Sequence, residues 1–132
     1  MASQIPVVDY LVLDAEPHLV VNACVACGAR FFDRRNACAS CAGTEFRREP
    51  LGRSGKVRSF TIVHRAAPGV PTPYVSALVD LDGGMTVKSN IVNTDPTPEK
   101  VRLGMPVRLT TFVVDSDSRG VECVAFGFEP AN

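Results

Sequence analysis

The stretch Cys24-Val-Ala-Cys27, followed after ten residues by Cys38-Ala-Ser-Cys41, decides the fold of the first part of this chain. Each C-x₂-C pair can present two thiolates to one cation from a tight turn, and two such knuckles facing each other close a tetrahedral four-sulfur site. Because a closed site leaves no open position for a substrate, we expect the metal to be structural. Zn²⁺ is the favoured metal, and iron of the rubredoxin type remains the alternative.

Two disulfide bonds are the other use of these four cysteines. The N-terminus lacks the basic stretch and apolar core of a signal peptide, and five cysteines without an export signal are typical of a reducing compartment. We therefore expect a cytoplasmic protein with a metal site. Gly28 follows the first pair, where a positive φ is often required, whereas Ala42 and then Gly43 follow the second pair, which predicts a less regular second turn.

The length and the hydropathy of the chain limit the classes of protein to which it can belong. The 132 residues suffice for one compact domain with a small appendage, and 45% hydrophobic residues support a core. No run of eighteen apolar residues occurs, so we expect no membrane span. Few large apolar residues lie near the cysteines, and we expect that segment to need metal in order to fold.

The formal net charge is zero, but the charges are unevenly distributed along the chain. Between Arg30 and Arg58 there are eight basic and three acidic residues, which gives this segment a net charge of +5. The segment includes the second knuckle and the exit from the cysteine-rich region, so it is placed to face a phosphate-bearing ligand. A solvated ribbon surface is the alternative explanation.

The pattern divides the chain into three segments: an apolar arm over residues 1–22, a zinc ribbon over 23–49 and an OB-fold domain over 50–132. Residues 7–13 of the arm fit either a short helix or a strand, because their periodicity does not decide. An apolar arm of this length is not stable alone. We therefore expect it to pack on the body of the protein or on a partner.

The last segment alternates between apolar runs and turn residues, which predicts strands. The alternation of the first strand places Val57, Ser59, Thr61 and Val63 on one face. Strands are expected at 56–64, 74–81, 85–93, 107–114 and 121–128, with one helical turn at 99–103. Five strands with a broken connection before the fourth match a small Greek-key OB barrel. The predicted fold class is mainly β, with an N-terminal rubredoxin-like zinc ribbon followed by a five-stranded OB-fold barrel.

In its two C-x₂-C pairs and in several segments of the predicted barrel, the chain resembles a known family. Members of this family join a rubredoxin-like zinc ribbon to a C-terminal OB-fold. The family is described as acyl-CoA-associated or thiolase-accessory and was long carried as a domain of unknown function. The resemblance covers residues 18–128 and departs from the family pattern at 32–36, where relatives often carry proline, and at Ala42, where glycine is common. The matching pieces are Cys24-Val-Ala-Cys27-Gly28, Cys38-Ala-Ser-Cys41, Leu51-Gly-Arg-Ser-Gly55-Lys-Val, Phe60-Thr-Ile-Val, Pro73-Tyr74-Val, Val79-Asp-Leu-Asp-Gly83 and Leu103-Gly104-Met105-Pro106-Val107.

The resemblance implies a non-catalytic accessory subunit that binds acyl-CoA and supports an enzyme partner. That partner would be a thiolase-like, lipid-transfer-type thiolase or hydratase-like subunit of acyl-CoA or polyketide-type metabolism. Coenzyme A carries phosphates, which arginine can bind through two parallel hydrogen bonds. The metal ligands are then Cys24, Cys27, Cys38 and Cys41, and the candidate phosphate ligands are Arg34, Arg35, Arg53, Lys56 and Arg65.

Three other functions stay open on the sequence. A single-stranded nucleic-acid binder would use the zinc ribbon and the OB-fold, but Phe60 and Tyr74 are the only loosely suitable rings, and the neutral net charge opposes strong phosphate-driven binding. An independent enzyme would have to use His18, His64 or the thiol of Cys123, and no catalytic grouping is recognisable. Iron in the four-cysteine site would make the protein an electron carrier. A homodimer is also plausible, through an open barrel edge or the apolar arm.

Overall fold

The computed structural model describes residues 4–131, and within them every regular element is a strand. The ten strands are β1 (Gln4–Pro6), β2 (Leu11–Val12), β3 (His18–Cys24), β4 (Arg30–Phe31), β5 (Phe46–Pro50), β6 (Ser54–Val63), β7 (Tyr74–Leu81), β8 (Thr86–Ile91), β9 (Pro106–Ser116) and β10 (Glu122–Pro130). No helix in residues 4–131 has the length and apolarity needed to cross a bilayer.

The last five strands close into a barrel. They lie in the order β10-β8-β7-β6-β9, and β9 pairs back onto β10. All of these neighbours are antiparallel except β8 and β10, which run parallel where Ile91 meets Phe128. This is a closed five-stranded barrel of the OB type. The predicted mainly β fold, a zinc ribbon followed by an OB barrel, is confirmed.

The first barrel strand carries a bulge that its sequence pattern does not reveal. The register against β7 shifts between Val57 and Ser59, so one extra residue lies in β6. Val57 is buried, and beyond the bulge Phe60 and Ile62 pack against the same core. The predicted alternation, which placed Val57 with Ser59 and Thr61, is therefore wrong past Arg58, because the inserted residue exchanges the two faces.

The connection between β8 and β9 contains hydrogen-bonded turns and no helix. The carbonyl of Thr97 accepts hydrogen bonds from the backbone N–H groups of Lys100 (3.1 Å) and Val101 (3.0 Å). The predicted helical turn at 99–103 thus lies two residues earlier in the chain. It ends there because Val101 turns inward and is completely buried in the barrel core.

The N-terminal arm packs on the body of the protein. β1 runs parallel to β10, with Ile5 opposite Cys123, and β2 pairs with β3. Leu11 is only 2% exposed, so the arm covers part of the core. The predicted boundary between arm and ribbon, at residues 22 and 23, lies within β3.

The ribbon and the barrel share one hydrophobic core. Leu19 and Val21 of β3 and Leu51 after β5 belong to the same buried cluster as the barrel side chains. A polar contact adds to this, because the Arg30 guanidinium donates to the carbonyl of Gly83 in the β7–β8 hairpin at 2.9 Å. Loss of the ribbon is therefore expected to weaken the barrel as well.

Gly55 occupies a position on β6 where no side chain fits. A Cβ atom there would lie 2.5 Å from the carbonyl oxygen of Asp80 and 2.9 Å from Cγ1 of Val79. We expect Gly55→Ala to reduce the free energy of unfolding by about 2–3 kcal/mol, because the paired strand must move. Gly52→Ala is the matched control, since its nearest neighbour would be 3.7 Å away. Equal urea midpoints for the two variants would contradict the register of this pairing.

Candidate functional site

The first knuckle is a turn that its own backbone closes. The N–H of Gly28 donates to the carbonyl of Cys24 at 2.9 Å, and the N–H of Cys24 donates to the carbonyl of Ala29 at 2.8 Å. Gly28 has a φ of +82°, as the sequence predicts for the residue after the pair. The turn thereby places the sulfurs of Cys24 and Cys27 on the same side.

The second knuckle repeats this pattern. The N–H of Ala42 donates to the carbonyl of Cys38 at 2.8 Å, and the N–H of Cys38 donates to the carbonyl of Gly43 at 2.7 Å. Ala42 takes the place of Gly28 and has a φ of +66°. The expectation of a less regular second turn is wrong, because alanine here adopts the left-handed conformation despite its Cβ atom.

The two knuckles bring all four cysteine sulfurs together. The Sγ atoms lie within 4.8 Å of one another, and the pairs Cys24–Cys41 and Cys27–Cys38 are each 3.6 Å apart. A tetrahedral site with metal–sulfur distances of about 2.3 Å has sulfur–sulfur edges of about 3.8 Å. None of the four is in a disulfide bond. The cluster therefore fits a four-thiolate metal site.

Backbone N–H groups prepare two of the thiols for ionisation. The pKa of the Cys24 thiol is lowered to about 7, chiefly by the N–H of Cys27 and against a smaller effect of burial. Burial also opposes ionisation of Cys38, but N–H groups of Cys41 and Ser40 outweigh it and lower the pKa. The Ser40 N–H lies 3.3 Å from the Cys38 sulfur.

Cys41 shows why the cluster needs a cation. The N–H of Gly43 acts to lower its pKa, but hydrogen bonds with the sulfurs of Cys27, Cys24 and Cys38, together with burial, outweigh that effect and raise the pKa to about 12. Without a positive charge, four thiolates cannot form so close together. A bound metal cation supplies that charge and displaces the protons.

Burial is unequal within each knuckle. Cys24 and Cys38 are buried, whereas Cys27 and Cys41 are exposed. Gly43 lies against the cluster, since a Cβ atom there would be 3.3 Å from the sulfurs of both Cys24 and Cys41. The site thus has one face on the protein body and one face at the surface.

Ala42 offers a direct test of the second turn. We expect Ala42→Gly to raise the free energy of unfolding by about 0.5–1 kcal/mol, because the relief of left-handed strain exceeds the added entropy of the unfolded chain. Ala39→Gly, in the same turn but without a positive φ, is expected to lower it by about 0.4–1 kcal/mol. Thermal unfolding of the metal-loaded proteins measures both, and equal shifts would contradict the assigned backbone conformation.

The candidate phosphate ligands of the ribbon lie on one exposed loop. Arg35 is engaged within that loop, because its Nε donates to Asp33 at 3.3 Å and its guanidinium lies 4.4 Å from the centre of the Phe31 ring. Arg34 is exposed, and no carboxylate of residues 4–131 lies within 4 Å of it.

The other three candidates are spread along β6. Arg53 precedes the strand, Lys56 lies within it and Arg65 follows it. Ten residues of strand span roughly 30 Å, so one phosphate group cannot contact both Arg53 and Arg65. Arg53 donates to the carbonyl of Leu109 at 3.2 Å and lines an open cleft of about 690 Å³ together with Asp14 and Glu16. These carboxylates make the cleft unfavourable for an anion.

A basic cavity that the sequence analysis did not identify lies elsewhere on the barrel. The β8–β9 connection and strand β9 together place Lys100, Arg102 and Arg108 around a cavity of about 530 Å³. The sequence shows Lys100 and Arg102 two positions apart, but Arg108 joins them only through the fold.

The remaining reactive side chains do not form a catalytic group. His18 lies near Asp14 (3.7 Å), and its Nδ1 is 3.0 Å from the carbonyl oxygen of Glu16. His64 is exposed and has no hydrogen-bond partner among residues 4–131. Cys123 is half-buried on β10. Among the side-chain contacts of residues 4–131, none joins one of these three residues to both a nucleophile and a base, as covalent catalysis needs.

Two family models match this chain in tandem. Residues 14–47 match the model described as the rubredoxin-like zinc ribbon domain of ChsH2, and residues 48–112 match that of the C-terminal OB-fold domain of ChsH2. In addition, one curated relative is 30% identical over 85% of this chain and 76% of its own length. The chain belongs to the ChsH2 (DUF35) family. The family resemblance seen in the sequence is thereby confirmed.

The names of two curated relatives describe the roles of other proteins similar to this chain. The benzoylsuccinyl-CoA thiolase subunit BbsA of Thauera aromatica is 30% identical over 85% of this chain and 76% of its own length. A DUF35 domain-containing scaffold protein of Methanocaldococcus jannaschii is 33% identical over 85% of this chain and 81% of its own length. Their names describe a thiolase subunit and a scaffold.

A solved structure of a ChsH2-family chain has the same architecture. It is described as an Ltp2-ChsH2(DUF35) aldolase, and the superposition has a TM-score of 0.71 at 28% sequence identity. It covers 87% of this chain and 86% of that chain. The ribbon and the barrel therefore have a counterpart in an enzyme assembly.

Proposed function

We propose that this chain is a non-catalytic accessory subunit of a thiolase-like enzyme in the cytoplasm, and that it handles acyl-CoA within that assembly. The observation that carries the proposal is the 30% identity, over 85% of the chain, to a benzoylsuccinyl-CoA thiolase subunit. The superposition on a chain of an Ltp2-ChsH2(DUF35) aldolase supports it independently. The enzyme partner in this proposal is either thiolase-like or hydratase-like.

The metal site supports a structural role. All four ligand positions of the tetrahedron are filled by cysteine sulfurs, so the metal would have no open position for a substrate or an activated water. We assign Zn²⁺ to the site, held by Cys24, Cys27, Cys38 and Cys41. Elemental analysis of the purified chain is expected to give one zinc per chain and a colourless solution, whereas iron would give visible absorption from sulfur-to-iron charge transfer.

The nucleic-acid alternative has weaker support in the fold. Stacking of bases needs exposed aromatic rings beside basic residues. Phe60 and Tyr74, the two candidate rings, are both half-buried, and Phe60 packs against the core. No observation on the described residues favours this function over the accessory subunit.

Affinity capture of the tagged chain from its own organism tests the proposal. We expect a thiolase-like or hydratase-like enzyme to co-purify at a fixed stoichiometry, and the purified pair to retain acyl-CoA turnover that the partner alone loses. Light scattering of the chain by itself then distinguishes a monomer from a homodimer formed through an open barrel edge or the apolar arm. Recovery of nucleic-acid enzymes or of redox partners would contradict the proposal.

A further inference from the structure

The basic cavity lies where three parts of the barrel meet. The β8–β9 connection contributes Lys100 and Arg102, β9 contributes Arg108, and the end of β10 contributes Glu129. Its volume of about 530 Å³ is within the range of small-molecule sites in proteins. It is separate from the four cysteines and includes none of the basic residues that the sequence suggested as phosphate ligands.

Glu129 is the single carboxylate in the lining, and its oxygens are already engaged. Oε2 accepts from Nε of Arg108 at 2.8 Å, and Oε1 accepts from Nδ2 of Asn93 at 2.6 Å. The hydrogen bond from Arg108 is the main reason that the pKa of Glu129 is lowered. The charge of Arg53, which precedes β6, acts in the same direction. This carboxylate therefore fixes Arg108 and neutralises one charge only.

Lys100 and Arg102 have no such partner. Within residues 4–131, no carboxylate lies within 4 Å of either side chain. Both are exposed at the edge of the cavity. The cavity thus combines three cations with one carboxylate, and two of those cations are free to bind an anion from solution.

The backbone around the cavity is held in a defined shape. Asn93 adopts a φ of +60°, a conformation that asparagine accepts more readily than most residues, and its side-chain amide donates to Glu129. The N–H of Arg102 lies 3.3 Å from the sulfur of Met105, which turns the chain back toward β9.

We propose that this cavity is a phosphate subsite, in which Lys100 and Arg102 bind the nucleotide end of a coenzyme A thioester. The inference rests on the acyl-CoA function proposed above and moves the phosphate contacts from the ribbon loop and β6 to the cavity beside the β8–β9 connection. A concave cavity with two unpaired cations suits a compact, multiply charged group, and the arginine fork matches phosphate geometry. An acidic segment of the protein partner is the competing occupant.

Two charge-matched double variants test the assignment. K100Q/R102Q removes two positive charges from the cavity, and R34Q/R35Q removes two from the ribbon loop. Calorimetric titration at constant ionic strength, on the zinc-loaded chain and on its complex with the enzyme partner, would use acetyl-CoA, adenosine 3′,5′-bisphosphate, pantetheine and inorganic phosphate. We expect K100Q/R102Q to weaken acetyl-CoA and the bisphosphate by about tenfold or more, with pantetheine unchanged and R34Q/R35Q close to wild type.

The probes separate failure of the subsite from failure of the acyl-CoA function. If R34Q/R35Q alone weakens acetyl-CoA, or if neither variant does, the subsite is overturned while acyl-CoA binding stands. If only the bisphosphate binds and K100Q/R102Q weakens it, the subsite stands and the acyl-CoA function fails. Binding of inorganic phosphate as tight as that of the bisphosphate would reduce the site to a general anion site and overturn the nucleotide assignment. Absence of binding by every probe overturns both. Loss of partner assembly in K100Q/R102Q, with unchanged nucleotide affinity, assigns the cavity to an acidic protein segment and overturns the proposal.

Discussion

Replacement of Cys38 by serine is expected to weaken metal binding severely and to unfold the ribbon. Cys38 is 4% exposed, and its sulfur lies 3.6 Å from that of Cys27, so one of four ligands is lost from the middle of the cluster. Structural zinc contributes about 10–16 kcal/mol to the folding of isolated zinc ribbons and fingers at neutral pH. A three-sulfur site retains only part of this, and the apolar content of the ribbon cannot replace it.

The effect is expected to spread to the barrel through the shared core. Leu19 and Val21 lie on the strand that ends at Cys24, and both are buried against barrel side chains. When the knuckles open, this strand loses the pairing that holds it against β5. We therefore expect a lower melting temperature for the whole chain and rapid proteolysis within residues 23–49. Zinc stoichiometry, melting curves and limited digestion measure the three effects.

Cys123→Ser provides the matched control, because the same sulfur-to-oxygen change occurs outside the cluster. Cys123 is half-buried on β10, and we expect its replacement to keep one zinc per chain and to cost less than about 1 kcal/mol. Full zinc content and normal melting in the Cys38 variant would show that the four-cysteine assignment is wrong. A similar loss of zinc in the Cys123 variant would have the same consequence.

Much of this fold could be predicted from the sequence, because it depends on properties of short segments. The two C-x₂-C pairs predict a common site, because ligand spacing within a tight turn is a local property, and the four sulfurs do converge. The barrel strands are predicted to within a few residues, since their apolar alternation and the intervening glycines and prolines are local too. The predicted strand at 74–81 coincides with β7.

The errors arise where hydrogen bonding of the backbone outweighs the preference of a single residue. The bulge near Arg58 exists only relative to β7, so the sequence of β6 alone gives no sign that Phe60 joins Val57 in the core. Ala42 takes a conformation that alanine disfavours, because its N–H must close the turn onto Cys38. In β6 a tertiary pairing outweighs the local preference, whereas at Ala42 a hydrogen bond within the turn itself does so.

The basic cavity illustrates the same limit at the level of a site. Lys100 and Arg102 are near in sequence to Glu99, so their local charge balance draws no attention to them. Only the fold brings Arg108 of β9 and Glu129 of β10 beside them, because these two residues are opposite each other where β9 and β10 pair. The candidate phosphate ligands between Arg34 and Arg65 stand out because they are close in the sequence, but the fold places Arg53 and Arg65 near opposite ends of β6.

Truncation of Phe128 to alanine is expected to produce the largest loss of stability within the barrel. Phe128 is completely buried at the seam where β10 meets β8 in parallel and Leu109 of β9 in antiparallel register. Removing the ring leaves a cavity bounded by three strands, whose backbones cannot close on it without breaking the barrel. We expect a loss of about 3–5 kcal/mol and a fall in melting temperature on the order of 15 °C.

Phe128→Leu separates the cavity from the loss of aromatic contacts. Leucine keeps most of the buried volume but not the edge-to-face contact with Phe126, whose ring centre lies 6.4 Å away. We expect the leucine variant to lose less than about 1.5 kcal/mol in urea denaturation with zinc in excess. Because the carbonyl of Phe128 still accepts from Val92 in both variants, the hydrogen-bonded seam is constant and the difference reports side-chain volume. Equal losses in the two variants would mean that the aromatic contacts of Phe128, and not the volume of its side chain, hold β8 and β10 together. They would also contradict the pairing of Phe128 with Ile91 and Leu109.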